Sequence, residues 1–268
     1  MDFNTQTSLG RTGLKVGRLG IASSYGAPAE AYEEAFERGC NYFTIGSFLR
    51  GRNKDMMQAI RNIIRRGKRE ELVVSLIDYT HSALLGGSRF AGGLKAMGLE
   101  YVDILLLGFY PNKPRAGIMD WALGLKEKGM VHYLALSSHQ RKVFPRLAKE
   151  GEFDLFHLRY NAVHRGAEKD VFPLLPPENK PGIVGYTATR WGQLLKESKM
   201  PPGEPPLSAS DCYRFVLQNS SVDVCMTGAR SLEMMRENLQ MLGMPPLGPE
   251  EMKRIRKIGD HIYGKPSD

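Results

Sequence analysis

The sequence predicts a (β/α)8 barrel that forms one domain over residues 1–268. Short apolar segments alternate with longer amphipathic segments almost from end to end of the chain. Several short segments are apolar almost throughout, such as LVVSLI and VDILLL, which is typical of parallel strands covered by helices. An open doubly wound sheet is the alternative, but the first strand is followed by Ser23-Ser24-Tyr25-Gly26 rather than by a Gly-rich phosphate loop.

Eight strand candidates are each followed by a helix candidate, and this repeat favours the closed barrel. The predicted strands are Leu19–Ser23, Asn41–Ile45, Leu72–Ile77, Val102–Gly108, Val131–Ser138, Asp154–Tyr160, Gly182–Ala188 and Val222–Ala229. The predicted helices are 28–39, 53–66, 82–98, 115–128, 140–149, 166–175, 208–218 and 231–242. Pro28 suits a first helical position, and Gly39 and Gly129 suit helix ends.

Three segments lie outside this repeat. Residues 1–18 contain two short extended runs around Arg11-Thr12-Gly13, which predicts a hairpin that could close the bottom of the barrel. Residues 196–207 are Pro-rich and predict a loop after the seventh strand, where a loop could cover a ligand at the carboxyl ends of the strands. Residues 248–262 predict a terminal helix.

Composition and charge exclude several classes of protein. With 42% hydrophobic and 25% charged residues, the chain is unlike a disordered or disulfide-scaffold protein. The net charge of +8 comes largely from helix-like stretches such as Arg61–Arg69, which predicts solvated faces rather than a nucleic-acid site. Cys40, Cys212 and Cys225 show no metal-ligand spacing, and with no secretory signal they predict a reducing, cytoplasmic setting without a membrane segment.

Several motifs, in order along the chain, resemble the aldo-keto reductase superfamily. The opening SLGRTGLKVGRLG resembles its N-terminal hairpin, and GCNYF and YVDIL resemble its second-strand and fourth-strand segments. KGMV followed by ALSSH, and RYN followed by Arg165, are similar to its fifth-strand and sixth-strand motifs. GARS with Glu237-Asn238-Leu239 resembles its last-strand cofactor motif. The resemblance covers nearly the whole chain and implies a barrel that binds NADP or NAD across the carboxyl ends of its strands.

The same resemblance implies that the family's catalytic Asp, Tyr, Lys and His are missing. Their matched positions hold Thr44, Leu49 (or Phe48 in a shifted register), Ile77 and Gly108. A Tyr without a neighbouring cation is a poor acid at pH 7, so the family's proton relay cannot operate with these residues. Thr44 and Gly108 should also leave open space, which predicts a larger and more apolar small-molecule substrate.

Three residues are candidate replacements for the missing proton donor. Tyr79 and His81 follow the third strand beside Asp78, and Tyr110 follows the fourth strand. The structural alternative is that Asp78 or Thr80 caps the third helix and Tyr79 covers the rim of the barrel.

The cofactor positions implied by the resemblance match better. Ser137, Ser138 and His157 fall where the family holds the nicotinamide amide, and Tyr186 falls where a Tyr stacks on the nicotinamide ring. Thr187 and Arg190 follow on a loop toward the pyrophosphate. The last-strand motif supplies the remaining positions: Gly228, Ala229, Arg230, Glu237 and Asn238. Of these, Arg230 could pair with the 2′-phosphate of NADP, and Glu237 and Asn238 match the pair that reaches the adenine.

These residues leave three functional classes open. The first is an NAD(P)(H)-dependent oxidoreductase that uses a displaced acid on a carbonyl or alcohol. The second is a non-redox lyase, isomerase or cyclase that uses the emptied pocket. The third is an inactive cofactor-binding or regulatory protein.

Overall fold

The computed structural model describes residues 2–46 and 51–264, and eight parallel strands within these ranges close into a barrel. Strands β1 (Thr7–Ser8) and β2 (Lys15–Val16) form a separate antiparallel hairpin. The barrel strands are β3 (Leu19–Ala22), β4 (Tyr42–Ile45), β5 (Val73–Asp78), β6 (Val102–Leu107), β7 (Val131–Ser138), β8 (Leu155–Arg159), β9 (Gly182–Tyr186) and β10 (Val224–Thr227). Because β10 pairs with β3, with Thr227 beside Ile21, the sheet has no open edge and the open-sheet alternative is excluded.

The helices surround this barrel and follow the predicted spacing. They are α1 (Ala29–Glu37), α2 (Lys54–Arg65), α3 (Ala83–Met97), α4 (Ala116–Glu127), α5 (Val143–Glu150), α6 (Ala167–Asp170), α7 (Ala209–Leu217), α8 (Leu232–Leu239) and α9 (Pro249–Tyr263). Within the described residues, no helix is both long and apolar enough to cross a bilayer.

Two local predictions are corrected. The predicted helix over 166–175 is only the single turn α6 followed by a 3-10 turn at Phe172–Leu174, because Pro173 lacks the N–H that would continue an α-helix. Helix α3 is capped by Ser82, whose side chain accepts from the Leu85 N–H, and not by Asp78 or Thr80. The Asp78 carboxylate instead accepts from the backbone and hydroxyl of Thr80.

The N-terminal hairpin closes the bottom of the barrel, as predicted. Leu9 and Val16 are fully buried and join the cluster of side chains inside the barrel. The Arg11 N–H donates to the Lys180 carbonyl, and the Tyr133 hydroxyl donates to the Thr12 carbonyl. A Cβ at Gly10 would lie 2.2 Å from the Gly182 nitrogen, so the hairpin meets the barrel backbone to backbone. Among the described residues, the hairpin therefore closes this end of the barrel to a ligand.

The Pro-rich segment 196–207 lies beside the terminal helix α9. Arg254 on α9 pairs with Glu204 at 2.9 Å and donates to the Pro205 carbonyl, and the Leu207 N–H donates to the Leu194 carbonyl. A 3-10 turn occupies Glu197–Lys199 within this otherwise irregular segment. None of residues 196–207 lines the cavity at the barrel mouth, so a covering role would require the segment to leave α9.

Candidate functional site

A cavity of about 240 Å³ opens at the carboxyl ends of the barrel strands, and we call it the mouth cavity. Its floor is built by side chains from inside the barrel: Thr44, Ile77, Leu106, His157 and Met226. Its walls are aromatic and come from the end of β9, from loops and from α7: Tyr25, Tyr79, Phe109, Tyr186, Trp191 and Tyr213. Barrel enzymes carry their active sites at this end, so the mouth cavity is the candidate active site.

Among the described residues, no Asp, Glu, Lys or Arg lines the mouth cavity. Thr44 and Ile77, two positions that the resemblance assigns to the family's catalytic set, do line it. The third, Leu49, lies outside the described residues. The described walls therefore offer only neutral hydroxyl, imidazole, amide and apolar groups to a ligand.

His157 is the single imidazole among the described residues that line the cavity, and it is neutral. Its Nε2 lies 2.8 Å from the Tyr42 hydroxyl, and the ring is only 3% exposed. Burial lowers the pKa of His157 to about 3, because the surrounding barrel cannot solvate an imidazolium. His157 can therefore hold a polar ligand group by hydrogen bonding, but it cannot deliver a proton at pH 7.

Tyr79 fills the space that the sequence left open at Gly108. A Cβ at Gly108 would lie 2.3 Å from the Cδ1 of Tyr79 and 3.1 Å from the Asp78 carbonyl oxygen. The expectation of empty space at Gly108 was therefore wrong, because an aromatic ring from the neighbouring strand end packs against the glycine. Burial raises the pKa of Tyr79 to about 12, so this hydroxyl is neutral at pH 7.

Phe109 continues an aromatic stack along the rim of the cavity. Its ring centroid lies 5.3 Å from that of Tyr79 and 5.0 Å from that of His139, both in stacked geometry. Phe109 has a left-handed φ of 58°, and its N–H donates to the Ser137 hydroxyl at 3.0 Å. This hydrogen bond holds a bulky residue in an uncommon backbone conformation, which is typical of functional sites.

The structure separates the three candidate proton donors. Only Tyr79 lines the mouth cavity. The His81 Nε2–H donates to the Gly108 carbonyl at 2.9 Å, and the His81 ring stacks on Tyr110 at 4.1 Å. The Tyr110 hydroxyl is buried without a hydrogen-bond partner among the described residues, and burial raises its pKa to about 12. His81 and Tyr110 therefore do not line the cavity and lie behind its wall.

The residues matched to the nicotinamide half of the cofactor mostly face the cavity. Ser137, His157 and Tyr186 line it, as does Thr187 from the positions matched to the pyrophosphate, whereas the Ser138 hydroxyl accepts from the Gln140 N–H away from it. The Ser137 hydroxyl uses a lone pair for Phe109 and keeps its own hydrogen available. These positions suit a flat ring with an amide group.

The Tyr186 hydroxyl sits at the edge of this half. It lies 3.5 Å from the Ser138 carbonyl and 3.4 Å from the Nδ1 of His139. Burial raises the pKa of Tyr186, so its ring is neutral and can offer a flat face to a ligand.

The residues matched to the phosphate half are more dispersed. Arg190 donates to the Ile262 carbonyl on α9 and does not line the cavity. The Tyr25 ring lies against Gly228, where a Cβ would meet it at 2.3 Å, and the exposed Arg230 guanidinium lies 5.9 Å from that ring. Arg230 has no carboxylate partner among the described residues, so it is available to a phosphate.

Some residues of the last-strand motif have structural roles. The buried Asn238 amide donates to the Gly228 carbonyl at 3.4 Å and so ties α8 to the end of β10. Ala229 is fully buried, whereas Glu237 is exposed on α8.

Sequence reasoning missed several wall residues. Tyr25, Phe109 and Trp191 all follow barrel strands, and this position alone could have identified them. Tyr213 lies on α7 and reaches the cavity beside Thr227, with 2.7 Å between the two hydroxyls. No pattern in the sequence indicates that a helix contributes this ring. No group of His, Cys, Asp or Glu side chains in the described ranges has the arrangement of a metal site.

Comparison with solved structures supports this architecture. The holo form of aldo-keto reductase AKR11C1 from Bacillus halodurans is similar, with a TM-score of 0.77, 21% identity, and coverage of 95% of this chain and 96% of that chain. The apo form is similar too, with a TM-score of 0.75, 19% identity and 95% coverage of both chains. At such identities the likeness shows a shared fold. No curated protein sequence matches the chain.

The sequence itself carries the family assignment. The model described as "Aldo/keto reductase family" matches residues 15–212, which span β2 through the start of α7. This match covers well over half of the chain and includes seven of the eight barrel strands. With the closed barrel, its N-terminal hairpin and the cavity at the strand ends, it shows that the chain belongs to the aldo/keto reductase family.

Proposed function

We propose that the chain is an NAD(P)H-dependent oxidoreductase that acts on a carbonyl or alcohol group of a small molecule in the mouth cavity. The observation that carries the proposal is the convergence of Ser137, His157, Tyr186 and Tyr79 on one cavity at the strand ends. The first three suit a nicotinamide ring and its amide, and the fourth supplies a hydroxyl to a substrate beside that ring.

The bound nicotinamide would supply a hydride, and the protein would supply orientation. The Ser137 hydroxyl and the neutral His157 ring can hydrogen-bond the amide, while the Tyr186 face fixes which side of the ring meets the substrate. Arg230 supports NADP over NAD, because a guanidinium matches the geometry of a 2′-phosphate.

Tyr79 is the proposed proton donor. Carbonyl reduction needs a proton at the oxygen, and among the three candidates only the Tyr79 side chain lines the cavity. With a pKa of about 12 it would be a weak acid, so turnover should be slow unless the carbonyl oxygen becomes strongly basic in the transition state. A cavity without charged walls among the described residues favours an apolar substrate.

A second candidate function is cofactor binding without redox turnover, either in regulation or in a lyase, isomerase or cyclase reaction. The raised pKa of Tyr79 and the absence of charged side chains among the described wall residues favour it. The two candidates agree on the cofactor and differ only in whether a hydride leaves it.

The deciding experiment measures NADPH binding by fluorescence and then NADPH oxidation with a panel of apolar aldehydes and ketones. We expect binding and slow oxidation, and a 10²–10⁴-fold lower kcat in Tyr79→Phe with little change in cofactor affinity, an effect of about the size of a lost general acid. His81→Ala is the matched control, because His81 lies behind the wall. Binding without turnover would favour the second candidate, and failure to bind either nucleotide would refute both.

A further inference from the structure

A second pocket at the same end of the barrel has the opposite character, and we call it the arginine pocket. It lies between the loop after β8, the segment before α5 and the helix α9. Its lining includes Arg141, Arg159, His164 and Arg165, with Asp260 and Tyr263 from α9. We propose that this pocket binds a phosphate-type oxyanion at a site separate from the mouth cavity.

Two guanidinium groups supply unpaired positive charge here: Arg159 lines the pocket, and Arg190 lies beside it without lining it. Within residues 2–46 and 51–264, neither Arg159 nor Arg190 pairs with a carboxylate. Arg159 is half-buried at the end of β8, and Arg190 uses one nitrogen on the Ile262 carbonyl. The Ile262 carbonyl adjoins Tyr263, which lines the pocket, so Arg190 is close to it, and the charges of both arginines lower the pKa of His164.

The other two arginines are fixed by acidic partners. Arg165 pairs with Asp260 at 2.6 Å and also donates to the Ala162 and Arg256 carbonyls. Arg141 pairs with Asp170 through two nitrogens, at 2.8 and 2.9 Å. These two acids offset two of the three guanidinium charges that line the pocket, so the pocket keeps the positive charge of Arg159, with Arg190 beside it. Because the ion pairs already hold these side chains in place, an anion that binds there loses less side-chain entropy.

His164 supplies a proton-dependent group to the same pocket. The Asn161 side-chain oxygen accepts from the backbone N–H groups of Val163 and His164 and lies 3.2 Å from the His164 Nδ1. Since that oxygen is an acceptor, Nδ1 carries the hydrogen, and Nε2 of the neutral ring has a free lone pair. Burial and the charges of Arg159, Arg190 and Arg141 lower the pKa of His164 to about 4.

An oxyanion would interact favourably with both the unpaired guanidinium groups and His164. A doubly charged phosphate balances the two unpaired guanidinium groups, and planar N–H donors match its oxygens. Its negative charge would also offset the arginine repulsion that, after burial, lowers the pKa of His164, so binding should raise that pKa. A single carboxylate would leave one positive charge uncompensated, which is why the phosphate class fits better.

The test uses the full chain at low ionic strength, with inorganic phosphate as the probe and chloride as the reference. Calorimetry should detect phosphate binding that Arg159→Gln weakens about 10-fold or more, because a charge-assisted contact is lost. Arg159→Lys should keep part of it. Arg146→Gln removes a charge from α5 outside the pocket, where Arg146 pairs with exposed Glu150, and should leave binding unchanged.

Two further measurements separate this site from the others. Phosphate should raise the pKa of His164, seen by NMR and assigned with His164→Gln, and it should bind equally well with NADPH present. Tighter binding of glycerol 2-phosphate than of phosphate would identify a phosphorylated metabolite as the ligand, and equal binding the free anion. Loss of phosphate binding on adding NADPH, equal loss in Arg146→Gln, or no binding at all would overturn the proposal.

Discussion

His157 and His164 are both neutral, and the reasons differ between the two pockets they line. His157 is neutral because it is enclosed in the barrel among uncharged groups. His164 is neutral because it is half-buried and three arginines surround it. The two residues belong to adjoining parts of the chain, the strand β8 and the loop that follows it.

The difference shows how the barrel separates charge at one end. Arg159 pairs in register with Tyr186, so the last residues of β8 and β9 form the boundary between the mouth cavity and the arginine pocket. The described walls on one side hold no formal charge, and those on the other side hold the unpaired guanidinium of Arg159. A neutral reacting group and an anionic group could therefore bind a few residues apart without competing.

The largest expected effect comes from inserting a side chain between the mouth cavity and its wall. Gly108→His, which the family resemblance would favour, should lower the free energy of unfolding by about 3 kcal/mol, since its Cβ overlaps the Tyr79 ring. Denaturant unfolding measures it. Gly117→His is the control, because a Cβ there meets nothing within 4 Å.

Adding Tyr79→Ala tests the cause of that loss. Removing the ring should make Gly108→His cost clearly less than it does in the parent, which a double-mutant cycle would detect. A Gly108→His protein as stable as the parent would mean that Tyr79 does not occupy this space.

Arg230→Ala tests whether the 2′-phosphate of NADPH binds at Arg230 rather than in the arginine pocket. If Arg230 contacts the 2′-phosphate, the variant should weaken NADPH binding by about 1.5–3 kcal/mol and NADH binding much less. Arg159→Gln should leave both unchanged, because Arg159 lies in the arginine pocket. Equal losses for the two nucleotides in Arg230→Ala would remove Arg230 from the phosphate site.

The neutral His157 predicts a pH dependence of stability. Its pKa is about 3 in the folded chain and about 6.5 when unfolded, so the unfolded state binds more protons between these values. This contribution is complete above pH 6.5 and is lost as the pH falls toward 3, which amounts to about 2 kcal/mol at pH 5.

His157→Gln should flatten the fall in unfolding free energy between pH 7 and pH 5, because an amide does not titrate. His132→Gln, at an exposed position on β7, serves as the control. A fall in His157→Gln as steep as in the parent would show that His157 is accessible to protons in the folded chain.

The smallest effect concerns repulsion in the arginine pocket. Arg159→Gln should raise the free energy of unfolding by less than about 1 kcal/mol at low salt, with the gain fading at high salt. It should also raise the pKa of His164, because one of three repelling charges is gone. Thermal unfolding across salt concentrations and NMR titration measure these changes. A loss of stability would mean that Arg159 has a favourable role in the empty pocket.

The fold was predictable because its signals are local. A buried strand is recognisable in the sequence as a short apolar run. The runs LVVSLI and VDILLL predict β5 and β6 to within one residue of their observed bounds. The helix over 166–175 failed since a single proline overrode the amphipathic pattern. The hairpin followed from its turn residues around Arg11-Thr12-Gly13.

Site residues were predictable only where a single strand places the side chain in the cavity. Ser137 and Tyr186 lie at the carboxyl ends of β7 and β9, His157 lies in the middle of β8, and all three reach the cavity. The packing of Tyr79 on Gly108 joins two strand ends, and no pattern within either segment indicates it. The arginine pocket likewise depends on how α9 docks against the loop after β8, which single-sequence patterns do not report.

The hairpin at the barrel bottom imposes an order on folding during synthesis. Arg11 contacts Phe153 and Lys180, and Ile21 on the first barrel strand pairs with Thr227 on the last. The hairpin and β3 are thus synthesised well before the partners that they contact, and such distant contacts slow folding. Until those partners are made, Leu9 and Val16 remain exposed, so the hairpin is an apolar segment that a chaperone could bind during synthesis.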